Sequence, residues 1–274
     1  MAPATSPQAG PRDPVFLRRL VSALVLAPLA LVLVWFGGYP FAIFVAAFAA
    51  AMAWEWVSMS DREAPPRAFA LATGTAVGAV LLAAQGEAGW CAFWIAAGAL
   101  GSWLDRRRRG NPHEAAIGVV YVAVAASILV WLRADSLTGL VFLFAVVWAA
   151  DTFAYLAGTW LRGPKLLPAA SPNKTWTGLI AGLAFGSAAG AAVAMWSGMD
   201  LVHALMVALP LALSAVAGDL VMSLAKRRFG VKDAGSLIPG HGGVLDRVDA
   251  LMLAAVFAGL FALLAPGGWP GGAV

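Results

Sequence analysis

The sequence predicts an all-α, polytopic integral membrane protein. Of its 274 residues, 61% are hydrophobic and only 12% are charged, and the mean hydropathy is +0.83. Soluble domains usually contain about 25% charged residues. Apolar runs of about 20 residues, the length that crosses a bilayer as a helix, recur along the whole chain. The hydrophobic surface is therefore expected to face lipid and neighbouring helices, which excludes a soluble protein with one core.

Nine apolar runs predict nine transmembrane helices. They cover residues 20–36, 39–58, 67–84, 90–104, 116–132, 137–160, 177–197, 201–224 and 249–265.

The basic residues predict the orientation of these helices, because short loops rich in Lys and Arg stay in the cytoplasm. With the N-terminus inside and the C-terminus outside, seventeen of the eighteen basic residues fall on the cytoplasmic side, and only Arg133 does not. The seventeen are Arg12, Arg18, Arg19, Arg62, Arg67, Arg106, Arg107, Arg108, Arg109, Arg162, Lys165, Lys174, Lys226, Arg227, Arg228, Lys232 and Arg247. The net charge of +4 thus describes a basic membrane face, and no nucleic-acid partner is expected.

Composition divides the chain into four parts. Residues 1–14, rich in Pro, Ala and Gly, are expected to form a disordered tail. Residues 15–135 contain few groups that could do chemistry and are interpreted as a transmembrane scaffold. Polar motifs begin at Asp151, so residues 136–266 are interpreted as the catalytic region, followed by a short tail at 267–274.

Two features that could suggest a secreted protein favour other interpretations. Arg18 and Arg19 precede an apolar run, but no small-residue cleavage site follows, so a retained first helix is expected. A single cysteine, Cys91, excludes an intrachain disulfide and a cysteine-based zinc site, and it is expected to pack within the fourth span.

Four glycines spaced by four residues lie on one face of the seventh predicted span. Gly178, Gly182, Gly186 and Gly190 make this face smooth, which lets a neighbouring backbone approach closely. The spacing predicts helix packing and leaves open whether the neighbour belongs to the same chain or to a second subunit.

Carboxylates inside the predicted spans are the first candidates for function, since each costs about 2.5–3.5 kcal/mol at a helix centre. Glu55 lies near a helix end, where it could reach lipid headgroups or pair with a basic residue, and a structural role is favoured. Asp151 shares a helix face with Tyr155, and the sequence leaves a structural partner and a direct role equally open.

Three aspartates near the end of the chain suit a hard cation. Asp219 is followed on its helix face by Ser223 and Lys226, and Asp246 and Asp249 are three residues apart. Without histidine or cysteine partners, such carboxylates favour Mg²⁺, which usually binds one or two carboxylates together with substrate phosphates. The alternative is that Asp246 caps a helix while Asp249 forms a salt bridge.

Basic and glycine-rich segments around these aspartates indicate phosphate binding. Lys226, Arg227, Arg228 and Lys232 lie within seven residues, and the sequence PGHGG at 239–243 offers backbone amides to an anion. Carboxylates, cations and a glycine-rich loop together predict a site for a metal-bridged polyphosphate. By contrast, DRRRR at 105–109 is interpreted as a cytoplasmic anchor.

The sequence SPNKTWTG at 171–178 supplies a second polar segment, just before a predicted helix. Ser171, Asn173, Lys174 and Thr175 provide hydroxyls, an amide and a cation where the helix dipole also favours anions. An ordinary helix-capping segment is the alternative.

The motifs of the C-terminal half resemble the signature of the phosphatidate cytidylyltransferases, also called CDP-diacylglycerol synthases. The matching residues are the runs 223–227, 232–233 and 239–249, to which SPNKTWTG and DTFAYLAG at 151–158 are similar. The resemblance is strong over residues 145–255. Thr177 stands where the family usually has Glu, so a carboxylate is missing there.

This resemblance implies the transfer of a cytidylyl group from CTP to phosphatidic acid, with Mg²⁺ as the cofactor. The residues expected to act directly are Asp219, Asp246, Lys226 and Arg247. Asp219 and Asp246 are expected to bind the metal, with Asp249 as a third ligand or support. Lys226, Arg227, Lys232 and Arg247 are expected to hold phosphates, and the remaining groups expected to bind substrate are Ser171, Asn173, Lys174, Thr175, Ser223 and His241. His241 could equally well shape its loop.

Two other functions remain possible at this stage: a CTP-dependent lipid kinase and a membrane transporter for an anionic substrate. The polar motifs cluster at one predicted surface and no paired repeat is visible, which argues against a transporter. The expected partners are CTP, phosphatidic acid and membrane lipids, and a homodimer is left open. The expected location is a bacterial-type inner membrane, with the active site on its cytoplasmic side.

Overall fold

The computed structural model describes residues 25, 28–238, 242–265 and 267–271. Within these residues the chain forms a helical bundle with one small hairpin. The described part of the first helix, α1, covers residues 28–36. The following elements are α2 Gly38–Ser60, α3 Pro66–Ala84, α4 Ala88–Arg106, α5 Pro112–Asp135, α6 Leu137–Trp160, β1 Lys165–Leu167, β2 Ser171–Thr175, α7 Trp176–Trp196, α8 Leu201–Arg228 and α9 Leu245–Leu264.

The helices confirm an integral membrane protein built from α-helices. Among the described residues, seven helices, α2, α3 and α5 to α9, are long and apolar enough to cross a membrane. Every helix from α2 to α9 overlaps a predicted span, including α4, which is not among the seven. The start of the first span and the tail at 1–14 lie outside the described residues. The count of nine and the orientation therefore stay predictions.

A short antiparallel hairpin adds β structure that the sequence did not predict. Strand β1 pairs with β2 through Lys165 with Thr175 and Leu167 with Ser171. The segment SPNKT is thus a strand that leads directly into α7. We call the end of the bundle that carries this hairpin, the C-terminus of α8 and the N-terminus of α9 the hairpin end.

Short polar side chains start four consecutive helices by accepting a hydrogen bond from a free backbone N–H of the first turn. These caps are Asn111 for α5, Ser136 for α6, Thr175 for α7 and Asp200 for α8. Helix α9 is different, because Val244 at its N-cap position is itself helical and provides no side-chain acceptor.

Glu55 of α2 provides the acceptor that α9 lacks. Its carboxylate accepts hydrogen bonds from the backbone N–H groups of Val244 at 2.9 Å and Leu245 at 2.8 Å. The residue is only 2% exposed. The favoured structural role of Glu55 thus takes a form that the sequence did not suggest, because its partners are backbone amides rather than headgroups or a basic side chain.

The glycine face of α7 packs against α6 of the same chain. A Cβ at Gly178 would lie 2.7 Å from the carbonyl oxygen of Ala154, and one at Gly182 would lie 2.9 Å from that of Ala150. Both distances are too short for a side chain, so the two backbones are in direct contact. This answers the question that the spacing left open, and it assigns the stripe to packing within one subunit.

Ion pairs at the hairpin end join the scaffold helices to α8. Arg106, interpreted from the sequence as part of a cytoplasmic anchor, is only 8% exposed and lies 3.4 Å from the carboxylate of Glu114. Glu114 also pairs with Arg228 at 2.9 Å, and its carbonyl accepts the indole N–H of Trp56. The N-terminal helices therefore hold the end of α8 in place through a shared carboxylate.

The other end of the bundle contains the one basic residue that broke the charge pattern. Arg133 donates hydrogen bonds to the carbonyl oxygens of Val34 and Trp35 at the end of α1. Free carbonyls at a helix C-terminus favour a cation. Arg133 is thus explained by a local structural role.

Part of the predicted C-terminal tail belongs to the core. Trp269 is 3% exposed, and its ring lies 5.3 Å from that of Phe142, centroid to centroid, in an edge-on arrangement. A Cβ at Gly139 would lie 2.2 Å from the indole nitrogen of Trp269, so the indole fills the space beside this glycine. The described residues of the segment 267–274 therefore close the bundle against α6.

We expect Gly182→Ala to lower stability, because its new methyl group would press on the backbone of α6. Overpacking of this kind costs about 1–3 kcal/mol. The matched control is Gly74→Ala in α3, where a Cβ meets nothing within 4 Å. Thermal unfolding of the purified variants in detergent measures the difference. Equal melting temperatures for the two variants would contradict the tight contact.

Removal of the Glu55 carboxylate should destabilise the start of α9. Glu55→Ala leaves two buried amides without an acceptor, at about 1–3 kcal/mol each, whereas Glu55→Gln retains one acceptor oxygen and should be milder. The control is Glu63→Ala at an exposed position. Hydrogen exchange of the α9 amides, measured by mass spectrometry, should be fastest in Glu55→Ala, intermediate in Glu55→Gln and slowest in the wild type. Unchanged exchange in Glu55→Ala would show that these hydrogen bonds contribute nothing.

Candidate active site

Asp246, in the first turn of α9, organises the loop between α8 and α9. One carboxylate oxygen accepts a hydrogen bond from Lys226 Nζ at 2.7 Å. The other accepts from the backbone N–H groups of Ala234 at 2.9 Å and Gly243 at 3.2 Å. Both oxygens of this predicted metal ligand are therefore already engaged, and its predicted role at the metal stays untested.

The glycines of this loop make room for two carboxylates of the chain itself. A Cβ at Gly235 would lie 2.5 Å from Glu55 Oε1, and one at Gly243 would lie 2.8 Å from Glu55 Oε2. The amides of residues 243–245, of which only Gly243 belongs to PGHGG, approach the carboxylates of Asp246 and Glu55. His241, a predicted substrate-binding residue, lies outside the described residues.

Asp219 of α8 lies at the centre of a second group of charges. Its carboxylate pairs with Lys174 of β2 and accepts a hydrogen bond from Ser223 Oγ at 3.3 Å. It is also close enough to Asp151 of α6 and Asp249 of α9 for the carboxylates to repel one another. Three helices thus bring negative charge to one place, and the hairpin adds the positive charge of Lys174.

A glycine beside Asp219 allows α8 and α9 to come together. A Cβ at Gly218 would lie 2.8 Å from the carbonyl oxygen of Asp249 and 2.9 Å from Leu253 Cβ. The close approach brings Asp249 near Asp219, and Asp249 Oδ2 lies 4.0 Å from Lys226 Nζ. Lys226 therefore stands between Asp246 and Asp249.

The predicted substrate-binding residues of the hairpin differ in how far they are exposed to solvent. Ser171 is half-buried and Asn173 is exposed. Thr175 is buried, and its hydroxyl accepts the N–H of Gly178 as the cap of α7. The capping alternative thus applies to Thr175, while Lys174 contacts the site through Asp219.

Thr177, which replaces the glutamate usual in the resembling family, has a local partner. Its hydroxyl donates to the carbonyl oxygen of Arg162 and lies 3.0 Å from the hydroxyl of Thr175. A threonine here therefore ties α7 to the start of the segment that follows α6.

Three predicted phosphate-binding cations lie at the edge of the charged group. Arg227 is exposed and donates to the carbonyl oxygen of Val231 at 3.4 Å, and Lys232 is exposed. Arg247 is also exposed, and it lines an apolar cavity together with Asp151. Of the predicted cations, Lys174 and Lys226 therefore lie closest to the carboxylates.

Metal-binding geometry is incomplete in the protein alone. Among the described residues, no three side chains of His, Cys, Asp or Glu converge as a ligand set. The carboxylates of Asp219 and Asp249 are hard oxygen donors on adjacent helices. Such a pair fits Mg²⁺, which commonly takes one or two carboxylates and completes its shell with substrate phosphates and water.

Tyr121 of α5 is a polar residue near the site that sequence reasoning missed. Its hydroxyl is buried without a hydrogen-bond partner among the described residues, and it lies within electrostatic range of Asp249. A single tyrosine in a span of small apolar residues gave no pattern that could have identified it.

Comparison with known proteins agrees with the motifs. The profile of the Cytidylyltransferase family matches residues 17–265. A Brucella abortus biovar 1 (strain 9-941) protein named phosphatidate cytidylyltransferase is 41% identical over 257 residues, which cover 89% of this chain and 92% of the relative. A Rickettsia typhi protein of the same name is 35% identical over 177 residues, or 61% of this chain and 77% of the relative.

The match extends across the scaffold helices as well as the charged site, so the whole fold is shared and not only its motifs. On this evidence the chain belongs to the Cytidylyltransferase family.

Proposed function

We propose that this chain transfers the cytidylyl group of CTP to phosphatidic acid, giving CDP-diacylglycerol and pyrophosphate. The observation that carries the proposal is a junction at Asp151, which lines the apolar cavity together with Arg247 and lies within electrostatic range of Asp219. A charged cluster and a space for hydrocarbon meet at this residue. A reaction between a nucleotide and a lipid needs such a junction. Membership of the family and the names of its bacterial relatives support the same reaction.

In this reaction a phosphate oxygen of the lipid attacks the α-phosphorus of CTP. The new bond joins that oxygen to the α-phosphorus, and the bond to the oxygen bridging the α- and β-phosphates breaks, so pyrophosphate leaves. The lipid phosphate is already anionic at neutral pH, so no side chain has to remove a proton. The protein has to align two polyanions and offset their repulsion, by positioning and electrostatics.

The lysines beside the carboxylates are suited to hold the phosphates. Lys174 pairs with Asp219, and Lys226 pairs with Asp246, so both ammonium groups are held near the site before any substrate binds. We propose that incoming phosphates take these lysines from their carboxylates, with Arg247 binding at the mouth of the cavity. The proposed supporting groups at the rim are Ser171, Asn173, Thr175, Ser223, Arg227, Lys232 and His241.

The carboxylates freed by this exchange would hold Mg²⁺. Asp219 and Asp249 are the best-placed ligands, because neither has both oxygens saturated by backbone amides. Asp246 remains a proposed third ligand that would first have to release Lys226. When bound, the metal would offset negative charge on the nucleotide phosphates.

We propose that the hairpin end faces the cytoplasm of a bacterial cell, where CTP is available. The distribution of basic residues supports this side, and the bacterial source of the relatives supports an inner membrane. A homodimer stays a prediction, and the glycine stripe of α7 is not its interface because α6 covers it.

The radiolabel position in CTP distinguishes this activity from its alternatives. With phosphatidic acid and purified protein, label at the α-phosphate should enter the lipid fraction while label at the γ-phosphate leaves as pyrophosphate. Entry of the γ-label alone would indicate a lipid kinase. Entry of neither label, with protein that is folded and loaded with Mg²⁺, would contradict both enzymatic functions.

Neutralising the proposed metal ligands should stop turnover without unfolding the protein. We expect Asp219→Asn and Asp249→Asn each to lower kcat at least about 100-fold, the scale of losing one electrostatic contact to a transition state. Asp246→Asn should also abolish turnover while membrane insertion persists. Incorporation of α-labelled CTP over a Mg²⁺ titration measures the effect.

The control for this series is Asp200→Asn at the other end of α8. The backbone N–H of His203 lowers the pKa of Asp200, so this residue is an ionised carboxylate on the same helix. Asparagine also caps helices well, so the rate should stay unchanged. Wild-type rates in both Asp219→Asn and Asp249→Asn would contradict the proposed metal site.

A further inference from the structure

The bundle contains an apolar cavity of about 370 Å³, lined by residues of α1, α2, α5, α6 and α9 and by Ile238 of the loop before α9. This volume lies at the lower end of the range of roughly 300–1,000 Å³ found for ligand sites. Phe41, Phe44 and Phe48 of α2 and Ala125 and Ala126 of α5 form much of its wall. Such a lining suits hydrocarbon and offers few partners to a nucleotide.

The charged residues of the cavity lie at one end of it. Glu55 holds the C-terminal end of α2 against the N-terminus of α9, so Met52 of α2 lies near the level of Arg247. Phe41 comes eleven positions before Met52, which places it about 16 Å further along the helix axis at ~1.5 Å per residue. The cavity is therefore a long apolar space with Arg247 and Asp151 at the hairpin end and Phe41 at its far end.

The length and volume of the cavity fit a single extended alkyl chain. Arg247 at the mouth provides the positive charge that a phosphate headgroup requires, and Asp151 connects the mouth to Asp219 and Lys174. A lipid phosphate held at Arg247 would point its hydrocarbon along α2. Charge complementarity at one end and apolar walls elsewhere thus define one orientation for a bound lipid.

We propose that one acyl chain of the lipid substrate enters this cavity, and that Phe44 and Ala126 set the length of chain that the enzyme accepts. The inference rests on the proposed function, because it takes phosphatidic acid as the substrate. Phe44 is half-buried and narrows the space from the α2 side. Ala126 is 1% exposed, and its small side chain leaves the space open from the α5 side.

Two substitutions should shift chain-length preference in opposite directions. Ala126→Leu narrows the cavity and should lower kcat/KM for dipalmitoyl phosphatidic acid at least about tenfold relative to dioctanoyl phosphatidic acid, the scale of one methylene group in a tight pocket. Phe44→Ala widens the cavity and should raise the same ratio. The assay is incorporation of α-labelled CTP into each lipid, with both lipids presented in the same detergent micelles.

Ala47→Leu is the matched control, because Ala47 lies on the exposed face of α2 and does not line the cavity. It should leave the ratio of the two efficiencies unchanged. Residual activity on dioctanoyl phosphatidic acid in Ala126→Leu shows that the variant is folded.

The outcomes separate this inference from the proposed function. Wild-type protein that labels no phosphatidic acid of any chain length overturns the function itself. Normal wild-type activity with ratios that do not move in either variant overturns the inference alone. Equal loss on both lipids in the variants also overturns it, since that result indicates a structural lipid in the cavity rather than the substrate chain.

Discussion

The hydrogen bonds from the start of α9 to Glu55 are the constraint on which the rest of the site depends. A helix whose first amides are buried must satisfy them from within the protein, and α9 has no side-chain cap of its own. Glu55, 189 residues earlier than Val244, performs this role from α2. The same contact sets where Asp246, Arg247 and Asp249 lie, because all three follow within the first turns of α9.

The carboxylates at the hairpin end divide into two kinds by the groups that satisfy them. Glu55 and Asp246 accept hydrogen bonds from backbone amides, which cannot move away without unfolding the loop. Asp219 contacts Lys174 and Ser223, Asp249 accepts one backbone N–H and lies 4.0 Å from Lys226, and both carboxylates lie close to further negative charge. Asp219 and Asp249 are therefore only weakly satisfied in the free protein, and a buried carboxylate is expensive to leave unpaired. Groups in this condition gain most from a cation, whereas the first kind already has its partners.

Local sequence signals predicted the features of the fold that depend on neighbours along the chain. Apolar runs gave the positions of α2 to α9, and the four-residue spacing of Gly178 to Gly190 gave a packed face. The signals failed where the partner is distant: Glu55 meets Val244, Glu114 meets Arg228, and Trp269 fills a space at Gly139. Motifs likewise brought Asp219 and Asp249 forward as site residues, but not Tyr121, whose position near Asp249 depends on how α5 packs against α9.

The sequence divides the chain into a scaffold half and a catalytic half by where its polar motifs lie. The structure gives this division a different physical basis. The described residues of the N-terminal helices supply no carboxylate to the Asp219 group, yet α1, α2 and α5 form most of the apolar cavity that reaches Arg247. Glu114 of α5 also holds Arg228 at the end of α8. The two halves thus serve two phases: the C-terminal half gathers charge where a nucleotide can reach it, and the N-terminal half shapes the space for hydrocarbon. An enzyme that joins a soluble reactant to a lipid requires both halves at fixed separation, and the contact between Glu55 and α9 fixes it.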